Sequence, residues 1–124
     1  MKAYDQQAEL LKAMAHPVRL QILDTLREGE QCVCHIEAVL RLRQAYVSQQ
    51  LVVLRKANLV LDRKDGLRVY YRLTDPAVLR VMELARTWLE RQGVPLDEID
   101  LTPRDCPCPK CAPTTSTSKA LVAS

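Results

Sequence analysis

A mainly α-helical domain carrying one small β-hairpin is the fold class this sequence predicts, and three observations predict it. Apolar residues recur at three- and four-residue spacing through most of residues 5–92. The period shifts to two in one place, on either side of Asp65-Gly66. A short helical stretch reaching Leu40 is joined by Arg41-Leu42 to a longer one that starts at Gln44, the arrangement of a helix-turn-helix unit. With 124 residues, 48% of them apolar and 27% charged, the chain has room for one domain with a real core. It has five aromatics and no Phe, so Leu, Val, Ile and Ala must build that core.

Taken in order, Asp5 to Met14 predicts a short amphipathic helix, with Ala8, Leu11 and Ala15 on one stripe and Leu10 and Met14 beside it. His16 stands at the junction, as a helix-entry residue, and Pro17 suits a first helical position because its missing N–H would be orphaned there anyway. A second helix runs to Glu28, with Val18, Ile22, Leu23 and Leu26 inward and Gly29 as its stop. Ile36, Val39 and Leu40 then make one face of a short helix that begins near Cys34.

The stretch Gln44 to Ala57 is the centre of the chain. As a helix it places Val47, Leu51 and Leu54 on one side and turns Ala45, Tyr46, Gln49, Val53 and Lys56 the other way. Its outward first turns are amide-rich where an ordinary solvated face would carry Glu and Lys. Gln matches the donor and acceptor edge of adenine, and Ser adapts to either base type. Arg55 and Lys56 follow, placed to reach phosphate. These residues point to a helix that enters the major groove of double-stranded DNA.

Charge supports that reading. The net charge of +3 conceals a basic block: residues 41–72 hold eight Arg and Lys against Asp62 and Asp65, a local +6, while the remainder carries −3. A basic block on an acidic body suits phosphate-directed binding. Leu59 to Lys64 and Leu67 to Leu73 flank Asp65-Gly66 as the strands of a hairpin. With Arg63, Lys64 and Arg68 near its tip, that hairpin would lie along DNA as a wing. Thr74-Asp75-Pro76 opens a last helix in which Val78, Val81, Met82, Ala85, Trp88 and Leu89 share a face and Gly93 ends it. This helix is expected to pack with the first, the pair also burying against a second copy to give a homodimer that reads paired half-sites.

The domain is thus placed at residues 1–93 and a Pro- and Thr/Ser-containing tail at residues 94–124, within which lies Cys106-Pro107-Cys108-Pro109-Lys110-Cys111. No apolar run is long enough for a membrane helix, and the N-terminus lacks the apolar segment of a signal peptide. A cytoplasmic protein with thiols in preference to disulfides is expected.

Four stretches together resemble the arsenic-repressor (ArsR/SmtB) family of metal-responsive winged-helix regulators: Leu10 to Leu23 (LLKAMAHPVRLQIL), Glu30 to Ile36 (EQCVCHI), Gln44 to Val60 (QAYVSQQLVVLRKANLV) and Asp65 to Leu73 (DGLRVYYRL). The resemblance covers roughly residues 8–90 and implies a homodimeric winged helix-turn-helix repressor. It places DNA-reading positions on Gln44, Ala45, Ser48 and Gln49, although the helical phase puts Ser48 nearer the flank than Gln49. Members resembling the arsenite sensors carry Cys-Val-Cys where this chain has Cys32 and Cys34. Two departures are visible: His35 replaces the Asp that usually follows, and Glu37 stands where some arsenite sensors have a further cysteine. The last helix has no His, so the zinc or nickel site that other members build there looks absent.

Soft thiolates select soft or borderline ions and disfavour magnesium, calcium and manganese. Two residues apart on a regular helix are about 200° apart around its axis, so ligation by both Cys32 and Cys34 is expected to unwind or re-aim the helix start. With one sulfur from Cys106, Cys108 or Cys111, the pair would make a three-sulfur site suited to arsenite or antimonite; with two, a four-sulfur site suited to cadmium, lead or zinc. Oxidation of neighbouring thiols to a disulfide would switch the same helix. A metal-buffering protein would need the cysteines but not the amide-rich helix and basic hairpin. An enzyme is disfavoured: no Gly-rich phosphate loop, paired-carboxylate motif or His-Asp-nucleophile pattern is present, and the Cys-x-x-Cys spacing occurs only in the tail.

Overall fold

The computed structural model describes residues 1–103. In chain order these form α1 (Lys2–Met14), α2 (Pro17–Thr25) running into a 3₁₀ turn (Leu26–Glu28), β1 (Gln31–Cys32), α3 (Val33–Leu40), α4 (Gln44–Lys56), β2 (Val60–Asp65), β3 (Arg68–Leu73) and α5 (Ala77–Arg91). The strands form an antiparallel sheet in the order β1-β3-β2. This is a helix-turn-helix, α3 and α4, followed by a hairpin wing.

One core holds these elements together. Ile22, Leu23 and Leu26 from α2 and its extension, Ile36 from α3, Val47, Leu51 and Leu54 from α4, and Val60 from β2 are almost wholly buried. Each such side chain contributes roughly 1.5–3 kcal/mol of burial. The predicted inward stripe of α4 is therefore the observed one. His16 caps α2, its Nδ1 accepting from the Val18 backbone N–H at 3.2 Å, and Pro17 follows at the first helical position. Acceptance at Nδ1 leaves the proton of the neutral ring on Nε2.

Three expectations are corrected. First, the sheet has a third strand: Gln31 and Cys32 pair with Tyr71 and Tyr70, so the thiol-bearing segment is part of the wing's sheet. A two-residue strand gives too little alternation to be seen in sequence. Second, the hairpin turn is Gly66-Leu67, because Asp65 pairs with Arg68. Gly66 has φ +62°, while Leu67 has no positive φ, which fits the two-residue hairpin that wants Gly first. Leu67 is consequently fully exposed at the tip. Third, α5 packs mainly on α2, and α1 mainly on α2 and α4, so the first and last helices are not each other's main partners within a protomer. Along α5, Val78, Val81 and Met82 face the core while Leu84 and Trp88 are 70% and 60% exposed. Trp88 had been expected on the inward face. In α1 only Ala13 and Met14 are buried, leaving Tyr4 and Leu11 in solvent. Among the described residues no helix is long and apolar enough to cross a membrane.

Candidate nucleic-acid interface and dithiol site

The recognition surface is built by α4. Burial of Val47, Gln50, Leu51 and Leu54 fixes the helix's rotation, and Gln44, Ala45, Tyr46, Ser48 and Gln49 are left exposed. Gln50 is the amide that does not face out: its Oε1 accepts from Arg19 Nε at 2.9 Å, and Arg19 Nη1 donates to the Ala13 carbonyl at 3.1 Å. This latch ties α4 to the end of α1 through α2. Tyr46 lies to one side, its hydroxyl 3.5 Å from His16 Nε2. Val53, expected on the outward face, is half-buried, and Val52 is exposed in its place. Val52 adds an apolar group beside Gln49, of the kind that contacts a thymine methyl.

Basic side chains surround this face unequally. Arg55 pairs with Asp62 at 3.2 Å, both partners substantially exposed. Arg63 is held by Glu30 through two bonds of 3.0 and 2.6 Å, lies 3.7 Å from Asp65, and stacks over the Tyr70 ring at 4.8 Å. A phosphate would have to compete with Glu30 for it. Arg68 is half-buried, with Nη1 3.6 Å from the Cys34 sulfur. Of the three wing bases named from the sequence, only Lys64 is exposed without an ion pair among the described residues. Arg41 and Arg43, exposed on either side of the turn into α4, were not named individually from the sequence, although the charge block contained them; Arg41 lies 3.9 Å from Asp100. Arg43 stands at the α4 N-terminus, where unsatisfied backbone N–H groups and the helix dipole also favour phosphate.

The thiols converge. Cys32 is the N-cap of α3, with extended backbone (φ −67°, ψ 148°), and Cys34 lies in the first turn. Their sulfurs are 2.7 Å apart, and the Cys32 sulfur accepts from the Cys34 backbone N–H at 3.4 Å. The expected unwinding of the helix start is therefore not needed. The 200° argument assumed that both residues are helical, and Cys32 is not. Cys32 is buried, Cys34 is partly accessible, and Tyr70 packs against Cys32. Glu37, three residues after Cys34, keeps one carboxylate oxygen buried without a hydrogen-bond partner, and burial raises its pKa above the ordinary Glu value.

Among the described residues no group of three or more His, Cys, Asp or Glu side chains is placed to hold a metal ion. Two soft sulfurs have the chemistry to serve a thiophilic ion as two of its ligands, once they spread from 2.7 Å to the roughly 3.7 Å that two ~2.3 Å bonds at a tetrahedral centre require. Cys106, Cys108 and Cys111 lie outside the described residues.

Comparison with known proteins agrees with the helix-turn-helix and wing. The family model described as bacterial regulatory protein, arsR family, matches residues 16–61. A biofilm growth-associated repressor of Agrobacterium fabrum is 45% identical over 76 residues, which are 61% of this chain and 65% of that one, just under two thirds of its length. An uncharacterized HTH-type transcriptional regulator of Methanocaldococcus jannaschii is 39% identical over 68% of this chain and 96% of its own. The solution structure of a homodimeric winged helix-turn-helix DNA-binding domain from Mycobacterium bovis, titled a possible ArsR-family regulator, superposes with a TM-score of 0.66. It is 34% identical and covers 73% of this chain and 84% of that domain.

Proposed function

The chain belongs to the ArsR family of bacterial regulatory proteins, a family of transcriptional regulators and not enzymes, and from that premise we propose that it is a homodimeric repressor whose grip on operator DNA is released when an ion or oxidant occupies Cys32 and Cys34. In this reading Gln44, Ala45, Ser48 and Gln49 face the major groove, with Tyr46 at its edge. Arg41, Arg43, Arg55 and Lys64 attract phosphate. The observation that carries the sensing half is the approach of the Cys32 and Cys34 sulfurs to 2.7 Å at the start of α3, the helix joined by one turn to α4.

Arsenite or antimonite would need a third sulfur, and cadmium, lead or zinc would accept two more. Cys106, Cys108 and Cys111 are the candidates this chain has for those places. The sulfur approach also favours a second reading, oxidation of the same pair. Two thiols and one peroxide would give the Cys32–Cys34 disulfide and two waters, the peroxide taking both electrons.

An operator gel shift titrated in parallel with arsenite, antimonite, cadmium, lead, zinc and peroxide tests both. Release by a thiophilic ion alone selects the first reading, and release by peroxide alone the second. Retention of operator under every addition refutes sensing by these thiols. The DNA-reading half has its own check. Gln49→Ala should weaken operator binding by about 1–3 kcal/mol while leaving non-specific binding nearly unchanged. An unaltered ratio of operator to non-specific affinity would remove Gln49 from base recognition.

A further inference from the structure

The wing's Arg68 was read from sequence as a phosphate contact. Its guanidinium instead sits on the sulfur of Cys34, Nη1 to Sγ 3.6 Å, and the side chain is half-buried. That contact is one of several that weld the wing to the thiol segment. β1 pairs with β3, with Cys32 opposite Tyr70. Tyr70 packs against Cys32, and Arg63 covers the Tyr70 ring while gripping Glu30 just before the thiols. Residues 30–34 and the strands of the wing therefore move together.

We propose that Arg68 is the positioning residue through which occupancy of the dithiol reaches DNA: its bond to Cys34 holds β3 against the start of α3, and a ligand on that sulfur displaces it. This rests on the reading of Cys32 and Cys34 as the sensing pair. The displacement follows from distance and charge. An atom ligated by a thiolate lies about 2.3 Å from the sulfur, and a guanidinium 3.6 Å from that sulfur competes for the same lone-pair density. It is also repelled if the newcomer is a cation. Once displaced, Arg68 no longer ties β3 to α3, and the strand pair that carries Lys64 loses its register with the groove-bound helix. The route to DNA thus runs through the sheet as well as through the turn between α3 and α4.

A phosphate contact and a coupling residue give different signatures. The probe is phenylarsine oxide, a trivalent arsenical with one carbon substituent, which two thiols satisfy without help from the tail. Every protein compared, the otherwise unchanged chain included, has Cys106, Cys108 and Cys111 replaced by Ser, so that loss of titratable thiols reads loading of Cys32 and Cys34 alone; operator affinity is measured by anisotropy with and without the probe at several salt concentrations. In the unchanged chain, loading should lower operator affinity by about 5–150-fold, the ordinary range of coupling between sites. Arg68→Met should load two thiols per protomer as before, yet lose all but about twofold of that change. Arg68→Lys, which keeps the charge but not the planar fork, should keep its salt slope, bind operator without the probe about as weakly as the loaded unchanged chain, and show the same loss of coupling.

An Arg68→Met protein that binds operator more weakly, with a salt slope lower by about one, but releases it by the same factor as the unchanged chain would show a phosphate contact and overturn the proposal. Loss of loading in both variants would also overturn it, by making Arg68 part of the ligand site. If the unchanged chain loads both thiols and keeps its operator, the sensing reading itself has failed and this inference falls with it. The two failures are told apart by the unchanged chain alone.

Discussion

Leu84→Glu combined with Trp88→Ala is expected to give a folded monomer that has lost operator binding by about 10²–10⁴-fold, the advantage of engaging two linked half-sites over one. Leu84 and Trp88 are one helical turn apart on α5 and are 70% and 60% exposed in the protomer. Val78, Val81 and Met82, on the core side of the same helix, already hold α5 in place. The outward side chains thus add little to the fold of one copy. Their large apolar area, together with Tyr4 and Leu11 on α1, is what a second copy would cover. The solution mass should drop from twice 14.1 kDa to 14.1 kDa with the circular dichroism unchanged. Trp88 is the sole Trp, so its emission in the unchanged chain should shift to the blue as protein concentration rises through dimer formation. A variant that stays dimeric, or a monomer that keeps full operator affinity, would place the interface elsewhere or remove the need for one.

The parts of this molecule that repeat over several residues were legible in its sequence. The inward stripe Val47, Leu51 and Leu54 was set by period alone, and it turned Ala45, Tyr46 and Gln49 outward, where the structure has them exposed. The same holds for the helix entry at His16-Pro17 and for the existence of the hairpin. What was not legible depends on partners distant in sequence. The two-residue strand Gln31–Cys32 exists because β3 offers it a ladder, and nothing in so short a segment announces that. Gln50 had the chemistry of a base reader, yet Arg19, 31 residues away, claims it. Arg63 and Arg68 had the charge of phosphate contacts, yet Glu30 and Cys34 hold them. Charge composition locates a basic region. It does not say which members of that region already have an internal partner.

The helical period even misled at the thiols. It placed Cys32 and Cys34 on opposite sides of a helix, whereas an N-cap has extended backbone, and that single change of dihedral brings the sulfurs together. The error changes the mechanism. If the pair senses as proposed, a site that needed the helix to unwind would couple to DNA through α3 alone, whereas sulfurs already close together could also act through the side chains that touch them.

Cys32→Ser with Cys34→Ser should leave operator binding intact and abolish release by whichever ion or oxidant releases the unchanged chain. The substitution preserves the local structure. Cys32 caps α3 by accepting from the residue-34 backbone N–H, and a Ser hydroxyl is a stronger N-cap acceptor than a thiol. Cys32 is buried in a small cluster with Cys34 and Tyr70, apart from the main core, so exchanging sulfur for oxygen there leaves that core untouched, and a hydroxyl in place of the Cys34 thiol still accepts from Arg68, which keeps the wing tied to α3. Operator affinity without inducer should therefore stay within about threefold of the unchanged chain, a fraction of a typical 5–150-fold coupling. Serine has neither the softness to hold a thiophilic ion nor the chemistry to form a disulfide, so the whole release factor should vanish. The single substitutions sharpen the test. If both sulfurs bind one ion or form one bond, Cys32→Ser and Cys34→Ser should each abolish release on their own. Replacing Cys106, Cys108 and Cys111 together by Ser then separates the ligand classes. Release by phenylarsine oxide should survive it, because two sulfurs suffice, while release by arsenite, which takes three, should not. Normal release in the Cys32, Cys34 double variant would exclude these thiols from sensing, whatever the tail does.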